Sequence, residues 1–268
     1  MQGMSLPALA LEEVEKDTVS FGKESLDIYA RDSSSKNRNN ESNKRKDKYP
    51  VVFMIHGGAW VGGDKTDSEV GAEKAEFFLD KGYVYVSTNY RLAPKNKYPS
   101  QLEDVRKALD WTRKNIKRWH GDAGQIIIVG HSAGGHLAAL LALASPTNVK
   151  ALVLLDPAAL DLGDTYKQAS KDGKKQMTAV FGKGQDRLNR ASPLFQMRNS
   201  DAKLPPTLIL LSRDWLGKRS SANALLRGSR MRRKSAAIVL QEYDHLTLLS
   251  ELGKNGERST QLLTDFIK

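Results

Sequence analysis

From Val51 onward, short apolar runs alternate with amphipathic stretches. The runs at 51–55, 83–88, 125–129, 150–155, 207–212 and 236–243 are rich in Val, Ile and Leu with few polar interruptions. That pattern predicts strands buried on both faces. Between them, Ser100-Gln101-Leu102-Glu103 has the spacing of a capping box, and Leu102, Val105, Leu109, Thr112 and Ile116 fall on one face of the helix it would open. Strands alternating with helices predict an α/β fold with a mostly parallel sheet and helices on both faces. Upstream the period shortens to two: Thr18-Val19-Ser20-Phe21 and Leu26-Asp27-Ile28-Tyr29, joined through Gly22-Lys23, predict an antiparallel hairpin.

A chain of 268 residues suits a single α/β domain spanning 1–268. Two segments interrupt the alternation. Residues 33–48 are Ser, Asn and Lys with almost nothing to bury, which predicts a mobile polar loop. Residues 158–204 are too long for a plain strand-to-helix connection and carry many charges, which predicts a small cap insertion with Phe181, Leu194 and Phe195 as its apolar contributions. In an open α/β sheet ligands enter over the carboxyl ends of the strands, so this insertion is expected over part of a pocket there.

Two glycine motifs carry candidate chemistry. Gly130-His131-Ser132-Ala133-Gly134 follows the run 125–129 and precedes the helix-forming His136-Leu137-Ala138-Ala139-Leu140. Glycines on either side of a serine allow a sharp strand-to-helix turn that lifts the hydroxyl clear of the sheet, the geometry of a nucleophile elbow. Upstream, Val51-Val52-Phe53-Met54-Ile55 runs into His56-Gly57-Gly58-Ala59-Trp60. Small residues there let backbone N–H groups approach a developing oxyanion. With Asn89-Tyr90-Arg91-Leu92-Ala93-Pro94 between them, the chain resembles the hormone-sensitive-lipase-like esterases of the α/β-hydrolase fold.

The resemblance implies an α/β-hydrolase fold with an antiparallel N-terminal edge, and a serine esterase whose triad runs Ser, Asp or Glu, His. It implies Ser132 as nucleophile and the amides of Gly58, Ala59 and Ala133 as the oxyanion hole. Of five histidines, His56 and His131 belong to the glycine motifs, His136 lies one turn into the nucleophile helix and His120 sits in a His-Gly-Asp turn. His245 remains, between the run 236–243 and the last helix, and is the expected general base. Asp214, just past the run 207–212, is the expected orienting acid. Asp244 adjoins the base but would point to the opposite face of an extended backbone. Trp60 and Trp215 are expected to shape the substrate pocket. The resemblance implies no cofactor and no metal. The expected reaction is hydrolysis of short to medium acyl esters through an acyl-enzyme, with an arylformamidase-like amidase and a non-catalytic ligand-binding homologue as alternatives.

Charge adds one feature. The formal net charge is +11, and residues 213–234 hold eight Lys or Arg against the single acid Asp214. A strip of that kind reads first as a solvated face and second as a field steering anionic substrates; a nucleic-acid partner is not expected. No cysteine is present, which excludes disulfides and thiol catalysis. No apolar run approaches the roughly 20 residues of a membrane span. Together with the short, unflanked apolar stretch at 4–11, this predicts a soluble, cytoplasmic protein with a small-molecule ester as its partner.

Overall fold

The computed structural model describes residues 14–31, 48–145, 149–214, 219–229 and 231–268. The loop expected at 33–48 lies almost wholly outside the described residues, as does Trp215.

Eight strands form one sheet: β1 (Val14–Phe21), β2 (Glu24–Arg31), β3 (Tyr49–Ile55), β4 (Val84–Thr88), β5 (Gly121–His131), β6 (Val149–Leu155), β7 (Thr207–Ser212) and β8 (Ala236–Leu240), in the order β1-β2-β4-β3-β5-β6-β7-β8. The N-terminal hairpin is present: β1 pairs antiparallel with β2, and β2 antiparallel with β4. Every other pairing is parallel. The fold is therefore the α/β-hydrolase arrangement of a mostly parallel sheet with an antiparallel edge.

Successive side chains of a strand point to opposite faces, so the apolar runs split between two cores. Val51, Phe53, Ile55, Ile126 and Ile128 enter one; Val52, Met54, Ile127 and Val129 enter the other. Helices α1 (Ala72–Asp80), α2 (Ser100–Asn115) and α3 (Ala133–Ala144) follow β3, β4 and β5 in turn. The insertion between β6 and β7 folds as four short helices, α4 (Leu162–Gln168), α5 (Lys171–Phe181), α6 (Gln185–Ala191) and α7 (Pro193–Arg198). The chain closes with α8 (Arg219–Leu226), α9 (Thr247–Ser250) and α10 (Arg258–Ile267).

Two details of the pattern differ from expectation. Ser100 is already helical and makes no capping bond; the Glu103 amide donates to Pro99 O instead, at 3.0 Å. The buried face of α2 includes Gln101 and Asp104, while Leu102 is only half-buried. Asp104 is buried because it clamps Arg91, with Nε–Oδ2 at 2.6 Å and Nη2–Oδ1 at 2.8 Å. A paired, hydrogen-bonded carboxylate can occupy a position that hydrophobic periodicity would give to leucine.

The site follows from the strand order. From β3 the chain moves to β4 on one side, then returns to place β5 on the other side of β3. The connections leaving the carboxyl ends of β3 and β5 therefore diverge, opening a crevice at the switch point. Both glycine motifs lie there.

Candidate active site

β5 ends at His131, and Ser132 turns the chain directly into α3. Its backbone sits at φ 52° and ψ −117°, a conformation that costs a non-glycine residue of order 1–3 kcal/mol and persists only where surroundings impose it. Here they do. The Ser132 amide donates to Leu155 O at 2.9 Å, and the Ser132 carbonyl accepts from the Ala158 amide at 2.9 Å. The close approach is also visible at Gly134, where a Cβ would stand 2.1 Å from Ile55 O and 2.4 Å from His56 O. Only glycine lets α3 dock against the end of β3.

The facing loop carries its own strain. Gly58, Ala59 and Trp60 have φ of 101°, 52° and 63°, and a Cβ on Gly58 would collide with Gly62 O at 2.1 Å. Among the described residues none accepts a hydrogen bond from the amides of Gly58, Ala59 or Ala133. The segment 89–93 braces this loop. Tyr90 Oη donates at 3.1 Å to the carbonyls of both His56 and Gly57, and its ring stacks on His56 at 4.3 Å. The Ala93 amide donates to Trp60 O at 2.9 Å. Asn89 accepts from the Lys65 amide and donates to Asp64, both at 2.7 Å.

His245, in the turn between β8 and α9, brings Nε2 to 3.0 Å from Ser132 Oγ. Its Nδ1 lies 3.1 Å from a carboxylate oxygen, but that oxygen belongs to Asp156. This corrects the expectation for Asp214. Asp156 immediately follows β6, is fully buried, and its other oxygen accepts from the Ser212 amide at 2.6 Å. Asp214 is exposed, and its Oδ2 accepts from the backbone N–H of His245 at 3.0 Å. It holds the main chain of the histidine, not the ring. Asp244 turns away as expected, capping the next turn through the Leu246 and Thr247 amides and pairing with Arg213 at 3.3 Å. A signal for Asp156 was present in Leu155-Asp156-Pro157, an acid at a strand's carboxyl end, placed as Asp214 is.

Two further imidazoles surround the site. His131 stacks obliquely on His245 with ring centroids 4.6 Å apart, and its Nε2 donates to the His245 carbonyl at 3.0 Å. Burial, helped by the neighbouring His245, lowers its pKa to about 4, so it stays neutral at physiological pH. His136 lies beneath the loop and donates Nε2–H to Ala191 O at 2.7 Å, tying α3 to the inserted helices; burial lowers its pKa to about 4 as well. Trp60 is buried and meets both His136 and Phe181 edge-on, at 5.2 and 4.9 Å. Phe181, the last residue of α5, thereby carries the insertion up to the loop 56–60. Leu194 is buried with it, while Phe195 remains exposed. Among the described residues no group of three or more His, Asp or Glu side chains is placed to hold a metal.

A strained serine on an elbow, an imidazole on its hydroxyl and a buried carboxylate behind the imidazole define the site of an α/β-hydrolase. The family model described as BD-FAE matches residues 40–214, and the chain belongs to that family. It is similar to a probable carboxylic ester hydrolase, LipM, of Mycobacterium tuberculosis, 40% identical over 94 residues that make up 35% of this chain and 21% of LipM. It is also similar to the arylacetamide deacetylase of Bos taurus, 44% identical over 95 residues, which are 34% of this chain and 23% of that protein. The alignments to these two relatives thus span less than a quarter of their length. Among solved structures, a hyperthermophilic esterase from Pyrobaculum calidifontis superposes with a TM-score of 0.72 and 26% identity, over 96% of this chain and 86% of that one. No helix among the described residues is long and apolar enough to cross a membrane.

Proposed function

We propose that the chain is a serine carboxylesterase acting on short acyl esters, with Ser132, His245 and Asp156 as its triad. The observation that carries this reading is the unbroken relay from Ser132 Oγ to His245 Nε2 at 3.0 Å and from His245 Nδ1 to Asp156 at 3.1 Å. His245 takes the proton of Ser132 as Oγ attacks the ester carbonyl, and the buried Asp156 fixes the Nδ1–H tautomer and stabilises the imidazolium that forms. The amides of Gly58, Ala59 and Ala133 hold the tetrahedral oxyanion. His245 returns the proton to the departing alcohol; water, deprotonated by His245, then releases the acid from Ser132.

Asp214 acts one step back from the chemistry, fixing the His245 main chain. The neutral His131 packs against the base without adding a charge that would oppose its protonation. Trp60, with Phe181 behind it, closes off the acyl side and sets the preference for short chains. The family membership and the esterase relatives support ester hydrolysis, whereas the arylacetamide deacetylase relative supports an amide as a second substrate class.

Turnover on aryl esters of increasing acyl length, measured beside an aryl formamide, tests the reading. Rates should peak at about two to six carbons and exceed the formamide rate. Rates that rise through long acyl chains, or a formamide turned over faster than every ester, would overturn it.

A further inference from the structure

A cavity of about 680 Å³ opens between α2, α3 and the inserted helices. That volume lies within the range of small-molecule sites. Its apolar surface comes from Leu102 on α2, Leu140 and Leu143 on α3, and the rings of Tyr98 and Phe181, whose centroids lie 5.9 Å apart. Leu140 and Leu143 are eight and eleven residues past Ser132, about 12 and 16 Å down the helix axis at 1.5 Å per residue. The leucine floor of the cavity thus lies away from Ser132, while Phe181 stands between the cavity and Trp60.

Its rim is cationic. Arg106, Arg187 and Arg190 line the cavity, each exposed, and no Asp or Glu lines it with them. Among the described residues none of the three guanidinium groups pairs with a carboxylate. The walls are held in place: Tyr98 Oη donates to Arg190 O at 3.1 Å, the Tyr98 amide to Val180 O at 2.9 Å, and Arg187 packs across Gly182. An apolar floor beneath three unpaired guanidinium groups is complementary to a ligand with a hydrocarbon chain and one anionic head.

We propose that this cavity binds an amphipathic monoanion, a medium-chain carboxylate of about eight to twelve carbons, with the chain on Leu140, Leu143 and Phe181 and the head at the arginine rim. Arginine suits such a head because its planar donors match two carboxylate oxygens. The chain supplies the rest of the affinity through burial.

Calorimetric titration of the full chain with octanoate, decanoate and dodecanoate below their micellar concentrations tests this, with decanol as the uncharged control. Decanoate should bind with a sub-millimolar Kd, tightening about three- to fourfold per methylene added and weakening as salt screens the rim. Ala144→Trp, at an exposed position that lines the cavity, should weaken decanoate at least tenfold, and so should Arg187→Glu combined with Arg190→Glu. Turnover of a short neutral ester by both variants reports that they are folded. Equal affinity in wild type and both variants would place the binding elsewhere and overturn the proposal. So would decanol binding as tightly as decanoate, or binding to phosphatidylglycerol vesicles without binding to monomeric decanoate.

Discussion

The parallel strands β6 and β7 end at the same edge of the sheet, an aspartate follows each within two residues, and each aspartate touches His245. They differ in what surrounds the carboxylate. Asp156 is fully buried, receives the Ser212 amide on one oxygen and faces the imidazole with the other. Asp214 is exposed and spends its bond on a backbone N–H. A carboxylate shielded from water interacts far more strongly with a forming imidazolium than one that solvent screens. Position along the chain therefore nominates both residues, and burial chooses between them.

The comparison can be broken at several points. The largest effect belongs to the hydroxyl that His245 contacts: Ser132→Ala should lower kcat by about 10⁶ with the fold intact, as circular dichroism would report. A variant retaining a tenth of wild-type activity would mean another nucleophile. Next comes Asp156→Asn, for which a loss of about 10³–10⁴ in kcat is expected, since an amide neither enforces the tautomer nor stabilises the cation.

Burial also governs the neutral imidazoles, and here pH is the probe. His131 and His136 are held at about 4, below the 6.5 or so of a free imidazole. As pH falls the unfolded chain takes up these protons first, so stability is full above about 6.5 and is lost between there and about 4. Each ring accounts for up to about 3 kcal/mol of that loss. Melting temperature should fall across this window, and His136→Gln should flatten the fall; an unchanged slope would show that His136 does not titrate there. The smallest effect is Asp214→Asn, which keeps an acceptor for the His245 amide and should cost no more than about tenfold in kcat. Finding the Asp156 and Asp214 effects reversed would invert the comparison.

Much of this was legible in the sequence because it rests on backbone requirements. Continuous Val, Ile and Leu runs between glycines have few conformations open to them, so the parallel strands, the hairpin and both glycine turns could be read directly. The contact between Ser132 and His245 followed from there being few histidines to choose among. Asp156 was missed because chain order, Ser then Asp then His, is satisfied by both acids, and only three-dimensional packing shows which one is dry. Gln101 and Asp104 hid for a related reason: each is buried through a polar partner in the loop ahead of α2, Asn96 O for Gln101 and Arg91 for Asp104, and periodicity counts apolar residues alone. Asn89-Tyr90-Arg91 was visible as a motif, but its work of bracing the loop from behind became apparent only in the contacts of Tyr90 and Asn89.

Gly134 sits where two backbones meet without a side chain between them, the first turn of α3 against the carbonyls of Ile55 and His56 at the end of β3. The serine and the loop that faces it are thus measured from one common reference point. A methyl group at this position would push Ser132 and the amides of the facing loop apart, and in the proposed reaction misplacements of about 1 Å can cost a hundredfold in rate. Any effort to vary this scaffold for new substrates can range over the inserted helices and the rim of the crevice, but it has to leave residue 134 bare.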